Sequence, residues 1–253
     1  AIASIETEPT QSVEGEDAAD DPAIWYNREN PKKSLILGTN KRLGLEVYDM
    51  QGKRLAIYKT GRLNNVDVRY SFDFDGETID IAAASNRTTN GVDIWKMNED
   101  GAGLKLISDT THRSLLSEVY GICLYKNRAE NTFYTFVNSK EGQIEKWKLL
   151  PDSNHIGFEL ITTHQANGQV EGMLADDEND LLFVGEEDGG IFVYPANANE
   201  SSNPYRIDQS GEENKDLKYD IEGLAMYHLP NGEGYLIASS QGNNRFAVFE
   251  RKP

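Results

Sequence analysis

The sequence has a single cysteine, Cys123, among its 253 residues, so no disulfide can form within the chain. Basic residues are also few, because 25 Lys and Arg stand against 42 Asp and Glu and give a formal net charge of −17. A surface this acidic repels phosphate backbones, which excludes nucleic-acid binding through a basic patch. No apolar run approaches the roughly 18 residues that a membrane-spanning helix needs, so we expect no membrane partner.

Several familiar catalytic motifs are missing as well. There is no Arg-His-Gly triplet, no Gly-x-Ser-x-Gly nucleophile elbow and no Gly-rich Walker loop. Four residues separate Cys123 from Arg128, instead of the five of a cysteine phosphatase loop, and the apolar surroundings of Cys123 predict a core residue. The four histidines occur singly, in unrelated contexts, and we expect them at the surface: His112, His155, His164 and His228.

The chain does contain many short apolar segments with strand-like alternation, and almost no helical period. Turn signals such as Asp188-Gly189 and Asn231-Gly232 separate these segments. Residues 73–76, Asp-Phe-Asp-Gly, resemble the start of a calcium loop, but a hairpin turn explains them better. The three tryptophans recur at strand positions and are predicted to be packing residues: Trp25, Trp95 and Trp147. The pattern predicts an all-β protein.

A two-part phrase recurs five times along the chain. Each copy begins with a short strand and continues through a second strand, a polar corner and a returning strand. The copies begin at Asp21, Val66, Tyr120, Glu171 and Glu222, which are 45, 54, 51 and 51 residues apart. Five four-stranded repeats at such even spacing indicate a β-propeller. Chance similarity among short hairpins is the alternative.

Equivalent positions of propeller blades converge around the central axis, because the first strand of each blade lines it. The acidic residues at these positions are Asp20, Asp21, Glu171, Glu186, Glu187, Asp220 and Glu222, and the basic ones are Lys41, Arg42, Arg87 and Lys140. Carboxylates that are drawn together repel one another and must protonate, scatter or bind cations. With no histidine or cysteine among them the fitting cation is hard, Ca²⁺ before Mg²⁺, and neighbouring basic groups suit phosphate. Acidic residues that are simply solvated at turns are the alternative.

Nine segments carry a family resemblance, among them Asp17-Ala-Ala-Asp-Asp-Pro-Ala-Ile-Trp25 and Asp220-Ile-Glu-Gly223. The other seven are residues 63–69, 82–87, 118–121, 140–142, 171–173, 186–188 and 239–242. In this order they resemble the β-propeller phytases, also called alkaline phytases. The resemblance implies a six-bladed propeller, and a calcium-dependent enzyme, usually secreted by bacteria, that removes phosphate from myo-inositol hexakisphosphate (phytate).

Carried over motif by motif, the resemblance also implies which residues form the site. The ligands of the catalytic calcium cluster would be Asp20, Tyr120, Glu171, Glu187, Asp220 and Glu222, with Glu6 as a further ligand and Asp21 as a ligand of a structural calcium. The phosphate-binding cations would be Lys41, Arg42, Arg87 and Lys140. Arg42 stands where the family often has lysine.

One departure from the family concerns the last blade. The family pattern continues beyond the fifth repeat into a sixth blade, whose Asp-rich segment supplies another metal ligand. We therefore expect residues 1–253 to form a single, incomplete propeller domain, like an incomplete N-terminal domain or a C-terminally truncated member. The ring could close over a gap, use residues 1–16 as a partial blade, or be completed by a second phytase domain or another copy of the chain.

Three functions are compatible with these observations. The first is a secreted, calcium-dependent phytase in which a metal-activated water attacks phosphorus. The second is a companion domain that binds phosphate or inositol phosphates, has weak activity and assists a complete phytase domain. The third is an interaction scaffold, against which the co-location of four cations with the carboxylates argues.

Overall fold

The computed structural model describes residues 4–13, 16–98, 103–209 and 214–252. The chain forms two compact units: unit 1 comprises Ala1–Leu115 with Leu150–Phe158, and unit 2 comprises Leu116–Leu149 with Glu159–Pro253. The described helices are 3-10 turns at Pro31–Lys33, Pro230–Gly232 and Gln241–Asn243. None of them is long or apolar enough to cross a membrane. The prediction of an all-β chain is confirmed.

Unit 1 contains two antiparallel four-stranded sheets in which strands that follow one another in sequence are paired. The first sheet consists of β1 (Ala19–Trp25), β2 (Leu35–Asn40), β3 (Gly44–Asp49) and β4 (Arg54–Tyr58). The second consists of β5 (Leu63–Phe74), β6 (Glu77–Asn86), β7 (Gly91–Met97) and β8 (Leu104–Leu106). The β5–β6 hairpin turns through Asp75 and Gly76, with φ of 52° and 77°, as a two-residue turn requires. The hairpin interpretation of residues 73–76 is thereby confirmed.

Unit 2 carries the remaining three sheets, except for residues 150–158 at the β11–β12 corner, which belong to unit 1. The third sheet consists of β9 (Ile122–Asn127), β10 (Thr132–Asn138), β11 (Gln143–Pro151) and β12 (Ile156–Gln165). The fourth consists of β13 (Val170–Asp176), β14 (Leu181–Glu186), β15 (Gly190–Pro195) and β16 (Tyr205–Asp208). The fifth consists of β17 (Ile221–His228), β18 (Gly234–Ser240) and β19 (Arg245–Glu250).

The five predicted repeats correspond to these five sheets, but the fifth sheet differs from its prediction. Four strands were expected there, and the described residues form three. The three strands pair in sequence order, β17 with β18 and β18 with β19. Of the three ways in which the ring could close, the use of residues 1–16 as a partial blade finds no support in the described part of that segment, since residues 4–13 contain no strand.

Within four sheets, the first strand has a shift in register near its beginning, of the kind that a β-bulge produces. These shifts lie between Ala19 and Pro22, Leu63 and Val66, Val170 and Met173, and Ile221 and Leu224. Bulges redirect side chains and are frequent beside active sites. Three of the four shifts enclose predicted site residues, namely Asp20 and Asp21, Glu171, and Glu222. The repeated phrase of the sequence therefore marks the same structural position in these sheets.

Each unit buries the apolar faces of consecutive sheets against one another. In unit 1 the core contains Trp25 and Trp95, together with aliphatic residues of both sheets. In unit 2 one cluster joins the third and fourth sheets, and a second joins the fourth and fifth. Cys123 is 1% exposed and belongs to the first of these clusters, and Trp147 is also 1% exposed. The packing roles predicted for Cys123 and the tryptophans are confirmed.

The surface position predicted for His164 is wrong. Its side chain is buried, because the loop between β15 and β16 covers it. The imidazole Nδ1 accepts a hydrogen bond from the backbone N–H of Ser202 at 3.4 Å, and the ring lies 5.2 Å from the ring of Tyr194. Single-sequence patterning gave no sign of this contact, because Ser202 is 38 residues away.

Candidate metal centre

Six of the predicted site residues belong to unit 2, where they occur at the ends of consecutive strands. Tyr120 precedes β9, Glu171 follows the first residue of β13, and Glu187 comes directly after β14. The other three are Asp220 and Glu222, at the beginning of β17, and Lys140, in the turn after β10. Strand β13 packs alongside both β9 and β17, so the beginnings of these three strands lie together.

Glycines let these strands approach one another closely. A Cβ on Gly121 would lie 2.0 Å from the carbonyl oxygen of Glu171, and a Cβ on Gly172 would lie 1.8 Å from that of Glu222. Any side chain at either position would clash with the neighbouring backbone. The Tyr-Gly and Glu-Gly pairs of the repeated phrase thus hold Tyr120, Glu171 and Glu222 side by side.

Asn138, at the end of β10, holds the backbone of Gly121 close to that of Glu171. Its side-chain amide donates to the carbonyl of Glu171 at 3.1 Å, and its amide oxygen accepts from the backbone N–H of Gly121 at 2.9 Å. The backbone N–H of Tyr120 in turn donates to the carbonyl of Asn138 at 2.7 Å. Asn138 was not among the predicted site residues, although it begins the polar corner Asn138-Ser139-Lys140.

The carboxylates of unit 2 carry more negative charge than their surroundings neutralise. Burial, together with the charge of Glu171 and a hydrogen bond to it, raises the pKa of the Glu222 carboxyl to about 8. The charges of Glu187 and Asp220 act in the same direction. At neutral pH the Glu222 carboxyl therefore keeps a proton, which it can donate to Glu171.

Tyr120 and Glu187 extend this cluster. Burial raises the pKa of the Tyr120 hydroxyl, which donates a hydrogen bond to Glu171 and is close to the charges of Glu187 and Glu222. Burial also raises the pKa of the Glu187 carboxyl, as do the charges of Glu171 and Asp220. Lys140 opposes that rise, and its Nζ lies 4.4 Å from the centre of the Tyr120 ring. The structure thus brings together all six unit 2 residues that the sequence predicts.

The other six predicted residues belong to unit 1, where one ion pair joins two of them. Lys41 Nζ lies 3.1 Å from Asp20 and 2.9 Å from Asp17. Burial alone would lower the pKa of Lys41, but the two carboxylates outweigh burial and raise it. A predicted phosphate-binding cation and a predicted metal ligand are therefore direct partners in this unit.

The remaining unit 1 residues lie in different surroundings. Asp21 Oδ2 accepts from the backbone N–H of Val66 at 3.0 Å, which ties β1 to β5. The Arg87 guanidinium approaches Asn64 Oδ1 at 3.5 Å. Arg42 and Glu6 are exposed. The convergence of these residues with the unit 2 cluster on one centre stays a prediction.

The comparison with known proteins gives the family. A family model described as Phytase matches residues 1–253. This chain belongs to the phytase family. A relative described as "3-phytase" from Bacillus subtilis (strain 168) is 43% identical over 255 residues, which cover 99% of this chain and 66% of the relative. The chain spans just under two thirds of the length of that relative, and the family predicted from the sequence is confirmed.

The donor set of this phytase chain fits a hard divalent cation. All five unit 2 residues of the cluster other than Lys140 offer oxygen atoms, which are the ligands that Ca²⁺ prefers. Within the described ranges, no three His, Cys, Asp or Glu side chains are arranged to hold one ion as they stand. The Tyr120 hydroxyl and the Glu222 carboxyl are both hydrogen-bonded to Glu171.

Glu186 and Gln169 lie beside the cluster and were treated differently by the sequence analysis. Glu186, which the sequence groups with Glu187, is buried and accepts from the backbone N–H of Asn167 at 2.9 Å. Its role in the phytase chain is therefore structural. Gln169, which no sequence pattern singled out, donates from its side-chain amide to Glu187 Oε1 at 2.5 Å. The position of Gln169, two residues before the Glu171-Gly172 pair, is the only sequence signal that could have indicated it.

Proposed function

We propose that this chain is a calcium-dependent phosphomonoester hydrolase that removes phosphate from phytate. Membership of the phytase family and the relative described as 3-phytase support the substrate. The observation that carries the calcium dependence is the convergence of carboxylates in unit 2, where burial and the charges of Glu171, Glu187 and Asp220 raise the pKa of Glu222 to about 8. The presence of a divalent cation would relieve that repulsion.

The proposed ligands of the calcium cluster in unit 2 are Tyr120, Glu171, Glu187, Asp220 and Glu222. In unit 1, Asp20 and Glu6 are proposed as calcium ligands and Asp21 as a ligand of a structural calcium. A calcium ion held by these oxygens would polarise a coordinated water and offset the negative charge of phosphate. To bind the cation, Glu222 gives up the proton that it shares with Glu171. The Tyr120 hydroxyl, hydrogen-bonded to Glu171, holds that carboxylate in place.

The basic residues have a separate proposed role. Lys140 stands beside Glu187 and over the Tyr120 ring, where its ammonium can neutralise a phosphoryl oxygen. Lys41, Arg42 and Arg87 are proposed to bind phosphate groups in the same way, and a guanidinium such as that of Arg87 can grip two oxygens at once. Water is the proposed nucleophile, since among the described residues the cluster contains no thiol or imidazole and Cys123 is buried.

One observation keeps a second function as a candidate: the chain covers part of the length of the relative. This chain spans 66% of the 3-phytase from Bacillus subtilis. A chain of this extent could serve as a companion domain that binds inositol phosphates and assists a complete phytase domain. Its activity alone would then be weak, while phosphate binding would persist.

The proposed partners are phytate and a further phytase domain or another copy of the chain, which would complete the ring. The outer face of the β17–β19 sheet supports such a partner. Tyr227, Val248 and Phe246 are 58%, 60% and 74% exposed on that sheet. A Cβ built on Gly223 would meet no described atom within 4 Å, unlike the equivalent Gly121 and Gly172. We also propose a secreted location, where millimolar calcium is available.

The decisive experiment is phosphate release from phytate by the full chain, measured with added Ca²⁺ and with a chelator. We expect release that depends on calcium, and a melting temperature that falls on chelation because ligands of the native state stabilise it. Glu222→Gln should lower release by at least about 100-fold, since loss of groups that merely support metal ligands already costs about 10–100-fold. The glutamine mimics the protonated carboxyl, so the fold should be retained.

The matched control is Glu159→Gln at an exposed position of β12, which should leave phosphate release unchanged. Calcium-independent release would contradict the proposed mechanism. Phytate binding without release in the wild-type chain would instead identify the companion domain.

A further inference from the structure

Gln169 holds Glu187 at two points. The backbone carbonyl of Gln169 accepts from the backbone N–H of Glu187 at 2.9 Å, and the side-chain amide donates to Glu187 Oε1 at 2.5 Å. The first bond fixes the backbone of Glu187 and the second fixes its carboxylate. One residue thus determines both where Glu187 is anchored and in which direction its charge points.

Gln169 is itself part of a well-anchored segment, residues 165–169. The Ala166 N–H donates to the carbonyl of Gly142 at 2.8 Å, and the Asn167 N–H donates to Glu186 Oε1 at 2.9 Å. These bonds tie the segment to the β10–β11 turn on one side and to the end of β14 on the other. The amide of Gln169 is therefore already in place before any ligand binds.

An amide is well suited to this position for an electrostatic reason. The negative charges of Glu171 and Asp220 repel that of Glu187 and raise the pKa of its carboxyl. A cationic partner at position 169 would neutralise Glu187 and reduce the attraction for a divalent ion. The amide of Gln169 supplies direction through a hydrogen bond and leaves the full negative charge available. Carboxylates that bind metals are commonly held by such outer hydrogen bonds.

We propose that Gln169 is a positioning residue that preorganises the Glu187 carboxylate for binding of a divalent cation. This inference rests on the proposed function, because it concerns the same centre. It assigns to Gln169 a role that acts through Glu187.

Calcium titration of the full chain by calorimetry tests the proposal directly. Gln169→Met keeps the length of an unbranched side chain and removes the donor. We expect the dissociation constant for Ca²⁺ to rise about 10–100-fold, as is typical when the hydrogen-bond partner of a metal ligand is lost. Phosphate release should need correspondingly more calcium for half-maximal rate, and the maximal rate at saturating calcium should change much less.

The segment offers a matched control in Gln165. Its side-chain amide donates to the backbone carbonyls of Glu141 and Ala166, at 2.9 and 2.8 Å, and not to the carboxylate cluster. Gln165→Met removes the same kind of donor from the same segment. We expect it to lower the melting temperature of the calcium-free chain without changing the dissociation constant for Ca²⁺. Gln169→Met should instead raise the dissociation constant for Ca²⁺ and leave the melting temperature of the calcium-free chain unchanged.

Two results would overturn the positioning role. One is a dissociation constant in Gln169→Met within about twofold of the wild-type value; the other is an equal change in Gln165→Met, which would mean that the segment matters only for folding. Failure of the proposed function looks different, because the wild-type chain would then show neither calcium binding nor phosphate release.

Discussion

Replacing Arg251 with methionine should destabilise the protein by about 3–5 kcal/mol, because a buried carboxylate would lose its cation. Arg251 Nε and NH2 donate to the two oxygens of Asp176 at 2.6 and 2.5 Å, and both side chains are 0% exposed. NH2 also lies 2.8 Å from Glu178, and NH1 donates to the carbonyl of Glu233 at 3.1 Å. The pair joins the end of β13 to the residue after β19.

The acidity of Asp176 gives a second measure of the same interaction. Burial by itself would raise the pKa of Asp176, but hydrogen bonds from Arg251 and Asn179 outweigh burial and lower it from 3.8 to about 2. A decrease of that size corresponds to about 2 kcal/mol of stability. Because the folded pKa is depressed, this stability is complete above about pH 4 and is lost as the pH falls through 2.

Thermal unfolding followed by circular dichroism measures the effect. At pH 7 the melting temperature of Arg251→Met should lie about 6–20 °C below that of the wild type, at about 2–4 °C per kcal/mol. The difference should narrow as the pH approaches 2. The matched control is Arg128→Met, whose exposed contact with Glu178 at 3.9 Å should be worth less than about 1 kcal/mol.

A further variant separates the pair from simple packing. In Arg251→Met with Asp176→Leu, no buried charge remains, so much of the lost stability should return. The reasoning is refuted if Arg251→Met melts within about 2 °C of the wild type. It is equally refuted if the double variant is no more stable than Arg251→Met alone.

Two other predictions concern stability. Gly172→Ala should lower the free energy of unfolding by about 1–3 kcal/mol or more, because its Cβ would lie 1.8 Å from the carbonyl oxygen of Glu222. The same clash should reduce phosphate release. Gly223→Ala is the control, with no described atom within 4 Å of its Cβ, and an equal loss in both variants in urea unfolding would contradict the packing argument. Burial lowers the pKa of Lys146 from 10.5 to about 8, so the folded chain should gain stability as the pH rises from 8 to 10.5. Lys146→Met should therefore have a higher free energy of unfolding than the wild type at pH 7, by up to about 3 kcal/mol. The variant loses the bond from Nζ to the carbonyl of Ala198 and the contact with the Tyr134 ring, so a lower free energy of unfolding would mean that these contacts outweigh the cost of burial.

Much of the fold could be predicted because its signals are local. Alternation of apolar and polar residues identifies strands, and Asp75-Gly76 identifies a two-residue turn, since both depend on neighbours within a few positions. The spacing of the repeated phrase then gives the number of sheets. The last repeat was predicted to have four strands, and its described residues form three, because apolar alternation marks a strand without showing whether another strand pairs with it.

The candidate site was predicted less completely. Glu171-Gly172 and Glu222-Gly223 were visible as repeated pairs, and the structure places Glu171 and Glu222 together. Repeat spacing alone could not separate Glu186 from Glu187, and only the family resemblance gave the ligand role to Glu187. The structure separates them, because Glu186 is buried against the Asn167 N–H whereas Glu187 faces the other carboxylates.

What the sequence determined by itself is the identity and order of the strands, the repeat, and the residue types that reach the candidate centre. These follow from chain connectivity and from the two-residue period of a strand. Tertiary structure alone decided that Gln169 binds Glu187, that His164 is buried, and that Arg251 pairs with Asp176 across 75 residues. Such contacts depend on which side chains meet through space, and strand periodicity gives the face of a residue without giving its neighbour.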